Sequence, residues 1–262
     1  MSSQHLKVLT YNIHKGFSVA NQRFVLHEIK QAVIEADADI VFLQEVYGEH
    51  NGWSDKLANW PNGSQFEFIA DNIWQHHAYG KNATYVSGHH GNAILSKYPL
   101  IEWENINVSL SSKASRSLLH GKIHIPGTPC PIHLICVHLG LFGFERRRQL
   151  YTLASRIKSH VPDDEPLIIG GDFNDWLVRA QYYLQQELGI TEVFKSHAGR
   201  HARSFPAWMP VLKMDRIYSR GLKITRYHQL KGPQWKKLSD HTPLCAEFQL
   251  PSSNQIARGQ MG

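Results

Sequence analysis

The stretch Pro166-Leu-Ile-Ile-Gly-Gly-Asp172-Phe-Asn174-Asp175 sets a short apolar run against two glycines and a carboxylate. Strands buried on a core face read as short apolar runs, so Asp172 is expected at the rim of a sheet. Gly170-Gly171 is read as a sharp backbone turn that leaves Asp172 and Asn174 facing an open crevice, where loops on a rigid scaffold often do chemistry. Taken alone, the same residues also suit an ordinary strand-to-turn junction, since Asp and Asn are turn formers.

Further strand-like runs lie at Leu6 to Tyr11, Ile40 to Leu43, Asn92 to Ser96, Leu118 to Ile125, Ile132 to Val137, Leu167 to Ile169, Asp215 to Tyr218 and Thr242 to Leu250. Between them the period changes to helical. Arg147 to Val161 puts Leu150, Leu153, Ala154, Ile157 and Val161 on one face, and Phe24 to Ala36 is a second amphipathic candidate. Ser64-Gln-Phe-Glu67 is a capping box ahead of Phe66, Ile69, Ala70 and Ile73. Strands with interspersed helices predict a layered α/β protein, sheets inside and helices outside. The 262 residues can bury a large core and no Pro/Gly/Ser-rich linker divides them, so one domain is expected over residues 1–250, followed by a flexible tail at 251–262.

With 28 Lys and Arg against 22 Asp and Glu, the net charge of +6 suits an anionic partner, such as a phosphate ester, nucleic acid or a lipid surface, or serves solubility alone. Cys130, Cys136 and Cys245 form neither an even set nor a Cys-x-x-Cys pair, which argues against a disulfide framework or a thiolate zinc site. No apolar run approaches membrane-spanning length and the N-terminus carries no hydrophobic signal segment, so a cytoplasmic, monomeric protein with no transmembrane segment is expected.

Polar residues end strand after strand. Asn12 closes the first and Gln44-Glu45 the second; His138 ends a later one, Asp172 and Asn174 follow another, and Ser239-Asp240-His241 precedes the last. If the sheet brings these ends together, carboxylates, amides and imidazoles form one compact site. The hard oxygens of Glu45, Asp172, Asp240 and Asn12 suit Mg²⁺ or Mn²⁺ better than zinc. The chain contains no His-Glu-x-x-His, Walker loop or Gly-x-Ser-x-Gly elbow.

Asn12, Leu43-Gln44-Glu45, Gly91-Asn-Ala-Ile-Leu-Ser-Lys-Tyr-Pro99, Val137-His138-Leu139, Gly171-Asp172-Phe173-Asn174, Met214-Asp215 and Ser239-Asp240-His241 occur in this order between Val8 and Phe248. In this set the chain resembles the endonuclease/exonuclease/phosphatase superfamily, in particular small bacterial members opening with Tyr-Asn-Ile-His-Lys-Gly, related to DNase I, exonuclease III and neutral sphingomyelinases. The resemblance implies a DNase I-like four-layer α/β sandwich, two packed, mainly antiparallel sheets flanked by helices, with the site at one end. It implies a metal held by Glu45, with Asp240 and Asn12 contributing directly or through water. Asp172 would orient or deprotonate the attacking water, and Asn174 would hold a phosphate oxygen or the nucleophile. His241, its tautomer fixed by Asp215, would donate to a phosphate oxygen or transfer a proton. His138 would touch phosphate or protonate the leaving group, and Arg116, in Ala114-Ser115-Arg116-Ser117, would reach the scissile phosphate.

His14 stands where DNA-repair relatives carry Asp or another small polar group, which weakens a specialised abasic-site activity. Lys231, Trp235, Lys236 and Lys237, and the stretch from Gly199 to Trp208, interleave basic and aromatic residues beside the proposed site. Such loops stack bases and bind phosphates, dock on lipid headgroups, or are solvated with their aromatics in the core. Arg146-Arg-Arg148 is read as the solvent side of its helix. The expectation is a phosphodiesterase with nuclease-type activity. A phospholipid or sphingolipid phosphodiesterase or a phosphatase is the alternative, with peripheral lipid contact, and a non-catalytic module for anionic polymers is disfavoured because binding alone needs bases more than clustered acids.

Overall fold

The computed structural model describes residues 4–110 and 116–251; the tail beyond Pro251, and Ala114 and Ser115 of the arginine segment, lie outside the described residues. In chain order the elements are β1 (His5–Asn12), α1 (Leu26–Glu35), β2 (Ile40–His50), α2 (Asn51–Ser54), α3 (Gln65–Ala70), β3 (His76–Tyr85), β4 (Gly88–Ser96), β5 (Leu100–Asn107), β6 (Ser117–Ile123), β7 (Ile132–His138), α4 (Gly143–His160), β8 (Leu167–Asp172), α5 (Arg179–Leu188), β9 (Thr191–Glu192), α6 (Val193–Ala198), β10 (Asp215–Arg220), β11 (Lys223–Gln229), α7 (Trp235–Leu238) and β12 (Leu244–Gln249). They build two six-stranded sheets, ordered β11-β12-β1-β2-β4-β3 and β5-β6-β7-β8-β10-β9. Pairing is antiparallel except for β1 with β2 and β7 with β8.

The period of two sorts side chains into layers. Leu6 and Val8 of β1 and Ile40 and Phe42 of β2 meet Leu134, Cys136 and Ile168 of the other sheet in one shared core. Their sequence neighbours Leu9, Tyr11, Val41 and Leu43 point the other way, onto Leu26, Ile29 and Val33 of α1 and Phe66 and Ile69 of α3. In the second sheet Ile135, Val137, Leu167 and Ile169 pack on Leu150, Leu153 and Ile157 of α4 and Leu184 of α5. Both faces of the central strands are therefore buried, which is why they read as continuous apolar runs. Each such side chain contributes about 1.5–3 kcal/mol. The result is the four-layer α/β sandwich.

Two expectations change. The strand expected at Leu167 to Ile169 runs on to Asp172, and the glycines make room rather than a turn. A Cβ on Gly170 would stand 2.5 Å from the Phe42 ring across the core, and one on Gly171, at φ +151°, 2.0 Å from the Val137 carbonyl. Helix α4 starts at Gly143, a turn earlier than Arg147; the apolar period did not reach that turn because its buried residues, Glu145 and Arg146, are polar, as is buried Gln149 in the next turn. Only Arg147 and Arg148 of the arginine run are exposed. Arg146 instead turns inward and donates to the carbonyls of Gly140 and Leu141, with its guanidinium 5.1 Å from the Trp176 ring.

Candidate active site

The alternation that builds the shared core also delivers the polar residues. Asn12 continues the Leu6-Val8 parity and Gln44 the Ile40-Phe42 parity, while His138 and Asp172 extend Leu134-Cys136 and Ile168. All four thus belong to the inter-sheet side, where the strands end and apolar residues give way to polar ones. Register aligns them further: His138 pairs with Asp172 and Asp172 with Asp215 in one sheet, and Asn12 with Gln44 in the other.

Glu45 should point away from this face by parity. A β-bulge prevents it: the pairing of β2 with β4 shifts between Leu43 and Val46, and Glu45 takes φ +54°. Bulges re-aim side chains next to functional sites, and here Glu45 Oε1 comes 3.4 Å from Asn12 Nδ2. His14, Lys15 and Asn174 share the left-handed region, at φ +46°, +59° and +49°. Non-glycine residues held there cost of order 1–3 kcal/mol each and cluster at functional sites.

Asp172 Oδ2 is the hub. Asn12 Nδ2 donates to it at 3.3 Å, while His138 Nε2 stands at 3.6 Å and His241 Nε2 at 3.8 Å. The two imidazoles are beyond hydrogen-bonding range, so neither Nε2 is spent on the carboxylate. The other oxygen, Oδ1, accepts the Asn174 backbone N–H at 2.8 Å. Asp172 and Asn174 are 2 % and 4 % exposed, so neither faces an open crevice. His241 Nδ1 pairs with Asp215 Oδ2 at 2.8 Å.

Charge follows from these contacts. Burial raises the Asp172 pKa, against the nearby His241 and aided by Asp215. Burial would lower that of His241, but Asp215 and then Asp172 lift it to about 10, so His241 is a cation at neutral pH. Burial, reinforced by Arg116, pushes His138 down to about 4 despite Asp172 and Glu45, so it is a neutral imidazole. Burial would raise Glu45, yet Lys15 and His138 hold it well below the usual carboxylate range.

The expected residues are not equally gathered. Asn12, Glu45, His138, Asp172, Asp215 and His241 form one connected set. The Asn12 oxygen accepts the His14 N–H at 3.0 Å, so its amide turns NH₂ rather than oxygen toward the carboxylates. Asn174 Nδ2 and Arg116 Nε both donate to the Leu139 carbonyl, at 2.9 and 3.2 Å. Asp240 lies at the edge, 24 % exposed in its side chain, with His14 Nδ1 at 3.9 Å and Ser239 Oγ at 3.3 Å.

Some contributors gave no signal that the motif reading used. Lys15 Nζ pairs with Glu45 Oε2 at 2.8 Å. Buried Gln65 clamps that pair, donating to the Lys15 carbonyl at 2.9 Å and accepting the Tyr47 N–H at 3.0 Å. Ser239 Oγ donates to the Asn12 carbonyl at 2.7 Å and joins β1 to the Asp240-His241 segment. Asp175 accepts the Ala180 N–H at 2.7 Å and lies 3.6 Å from Arg216 and 4.0 Å from Arg146, which anchors the turn after Asp172. The Tyr-Asn-Ile-His-Lys-Gly opening contained Lys15, but only the bulge at Glu45 reveals its partner.

The model of the Endonuclease/Exonuclease/phosphatase family matches residues 9–241. YbhP, an uncharacterized protein of Escherichia coli strain K12, is 46 % identical over 244 residues, covering 93 % of this chain and 96 % of its own. An endonuclease/exonuclease/phosphatase structure from Beutenbergia cavernae superposes with a TM-score of 0.76 at 18 % identity, over 94 % of this chain and 72 % of that one. The catalytic domain of human Nocturnin with bound sulfate gives 0.71 at 17 % identity, over 94 % and 95 %.

Proposed function

Because the chain belongs to the endonuclease/exonuclease/phosphatase family, whose members generally hydrolyse phosphoester bonds, we propose that it is a divalent-metal-dependent phosphodiesterase with nuclease-type activity. The observation that carries this reading is the convergence of the Asn12, His138 and His241 nitrogens on Asp172 Oδ2. A bound phosphate takes the two imidazole N–H groups, and the carboxylate is left to the water. Asp172 then accepts the water proton as the new P–O bond forms and the P–O bond to the leaving alkoxide breaks; its raised pKa makes it the better base. Cationic His241, held by Asp215, donates to a phosphate oxygen that gains charge in the transition state. Neutral His138 supports the phosphate-touching role over protonation of the leaving group. Arg116 adds positive charge at the same point, and Asn174 fixes Asp172 from behind.

Glu45 and Asp240 supply hard carboxylate oxygens, and Glu45 stays ionised. Among the described residues no three His, Cys, Asp or Glu side chains surround one point. That donor set fits Mg²⁺ or Mn²⁺, ions that keep much of their water and take few protein carboxylates, with Asn12 acting through Glu45. When bound, the ion would neutralise phosphate charge and stabilise the leaving oxygen.

A phospholipid or sphingolipid diester is the second reading. It is favoured by Leu141, Phe142, Phe144, Trp176 and Leu177, which follow His138 and Asn174 and are 37–69 % exposed. Metal-free protein assayed with Mg²⁺ or Mn²⁺ on single-stranded DNA, duplex DNA, RNA, phospholipid vesicles and small phosphomonoesters separates these. Metal-restored diester hydrolysis, lost reversibly in EDTA, is expected. Full turnover in EDTA refutes the metal dependence, and turnover of lipid without polynucleotide selects the second reading.

A further inference from the structure

Beside the catalytic floor, a cavity of about 620 Å³ opens between the segment that follows α6 and the turn joining β11 to α7. Arg200, Arg203, Lys231 and Lys236 line it, and no Asp or Glu does. Among the described residues none of the four cations has a carboxylate partner within 4.0 Å. Glu192, beside the cavity, is buried, with His201 Nδ1 at 3.1 Å from its carboxylate and the Lys195 N–H donating to it at 2.6 Å. His201 also lines the cavity, and among the described residues its buried Nε2 has no hydrogen-bond partner. Four like charges facing one space repel one another, and a bound anion relieves that repulsion.

The cavity shares its wall with the site. Ala207, in its lining, donates its N–H to the Asp240 carbonyl at 2.7 Å, and Thr242, also in the lining, follows His241 and donates to the Ser204 carbonyl at 2.9 Å. The Phe205 ring lies 5.0 Å from the His241 ring. A group seated here is therefore a near neighbour of whatever His241 holds. Its chemistry is anionic and oxygen-rich, because guanidinium and ammonium groups match phosphate oxygens.

We propose that this cavity binds a second phosphate group of the substrate, one flanking the phosphate that is hydrolysed; the proposal rests on the phosphodiesterase reading above. The preferred substrate then carries at least two phosphates, supplied either by a nucleotide chain or by a phosphorylated lipid headgroup.

Two substrate pairs distinguish these sources: TpT against pTpT, and a soluble short-chain glycerophosphodiester against the same compound phosphorylated on its headgroup. Bis(p-nitrophenyl) phosphate, with one phosphate, is the control for chemistry. The expected result is a kcat/KM higher by roughly tenfold to a hundredfold for the doubly phosphorylated member of one pair, a charge-assisted contact. The double variant R203A/K231A, whose side chains are exposed, abolishes that advantage and changes hydrolysis of the control less than about twofold. No advantage in either pair, or an equal loss on pair and control, overturns the proposal. If the control itself is not hydrolysed, the phosphodiesterase reading fails separately. Calorimetric titration with inorganic phosphate needs no turnover: the double variant loses one binding site, and unchanged stoichiometry overturns the proposal.

Discussion

The floor of the proposed active site, around Asp172, and the basic cavity lie on either side of the Asp240-His241-Thr242 segment and treat charge in opposite ways. In the floor Lys15 is matched with Glu45 and His241 with Asp215, both at 2.8 Å. In the cavity four cations stand exposed, with no carboxylate partner among the described residues. Partnered, buried charges fix geometry and protonation, so removing one partner strands the other. Unpartnered, hydrated charges supply field, and any one of them can be lost at little cost.

That contrast breaks or sharpens in steps. Asp172→Asn is expected to reduce kcat roughly 10³-fold or more while thermal stability holds, because the hub carboxylate loses its basicity without losing its shape. A loss below tenfold would remove Asp172 from the chemistry. Asp175→Ala, which leaves Arg216 buried and unmatched, should destabilise the fold by about 3–5 kcal/mol in urea titration; a loss under 1 kcal/mol would show the cluster to be ornamental.

Asp215→Asn should lower kcat roughly 10²-fold. It also moves the alkaline limb of the rate profile, which lies near the His241 value of about 10, down toward the ordinary 6.5. The sign follows from a folded pKa raised above the unfolded one: the pair's contribution to stability is complete below about 6.5 and disappears as pH rises through about 10. Wild type and variant should therefore converge in stability at high pH, and an unchanged gap there would refute the pairing. The smallest effect belongs to the cavity. Lys236→Ala should raise KM for bis(p-nitrophenyl) phosphate no more than about twofold at low salt, with the difference gone near ~0.5 M.

The central strands were legible because both of their faces are buried, which writes unbroken apolar runs into Ile40 to Leu43 and Ile132 to Val137. The strands that escaped the sequence reading, β3, β5, β9 and β11, are the four sheet edges. Edge strands meet solvent on one side, so β5 carries only exposed and half-buried residues and no apolar run. At the site, His138, Asp172 and Asn12 were legible as polar ends of readable strands. Lys15, Gln65 and Asp175 were not, because their work depends on backbone turns and on partners 30 to 50 positions away. The glycines before Asp172 were read for their freedom, whereas their lack of a side chain lets Phe42 and the Val137 carbonyl close in.

Backbone strain at Glu45 and Lys15 has an evolutionary consequence. Glycine occupies the left-handed region without steric penalty, so Glu45→Gly or Lys15→Gly would relax the chain. A population selected only for heat tolerance would drift toward those replacements, and each step would break the Lys15–Glu45 pair. Persistence of Glu and Lys at these two positions in heat-adapted descendants would therefore record that turnover, rather than folding, was being selected.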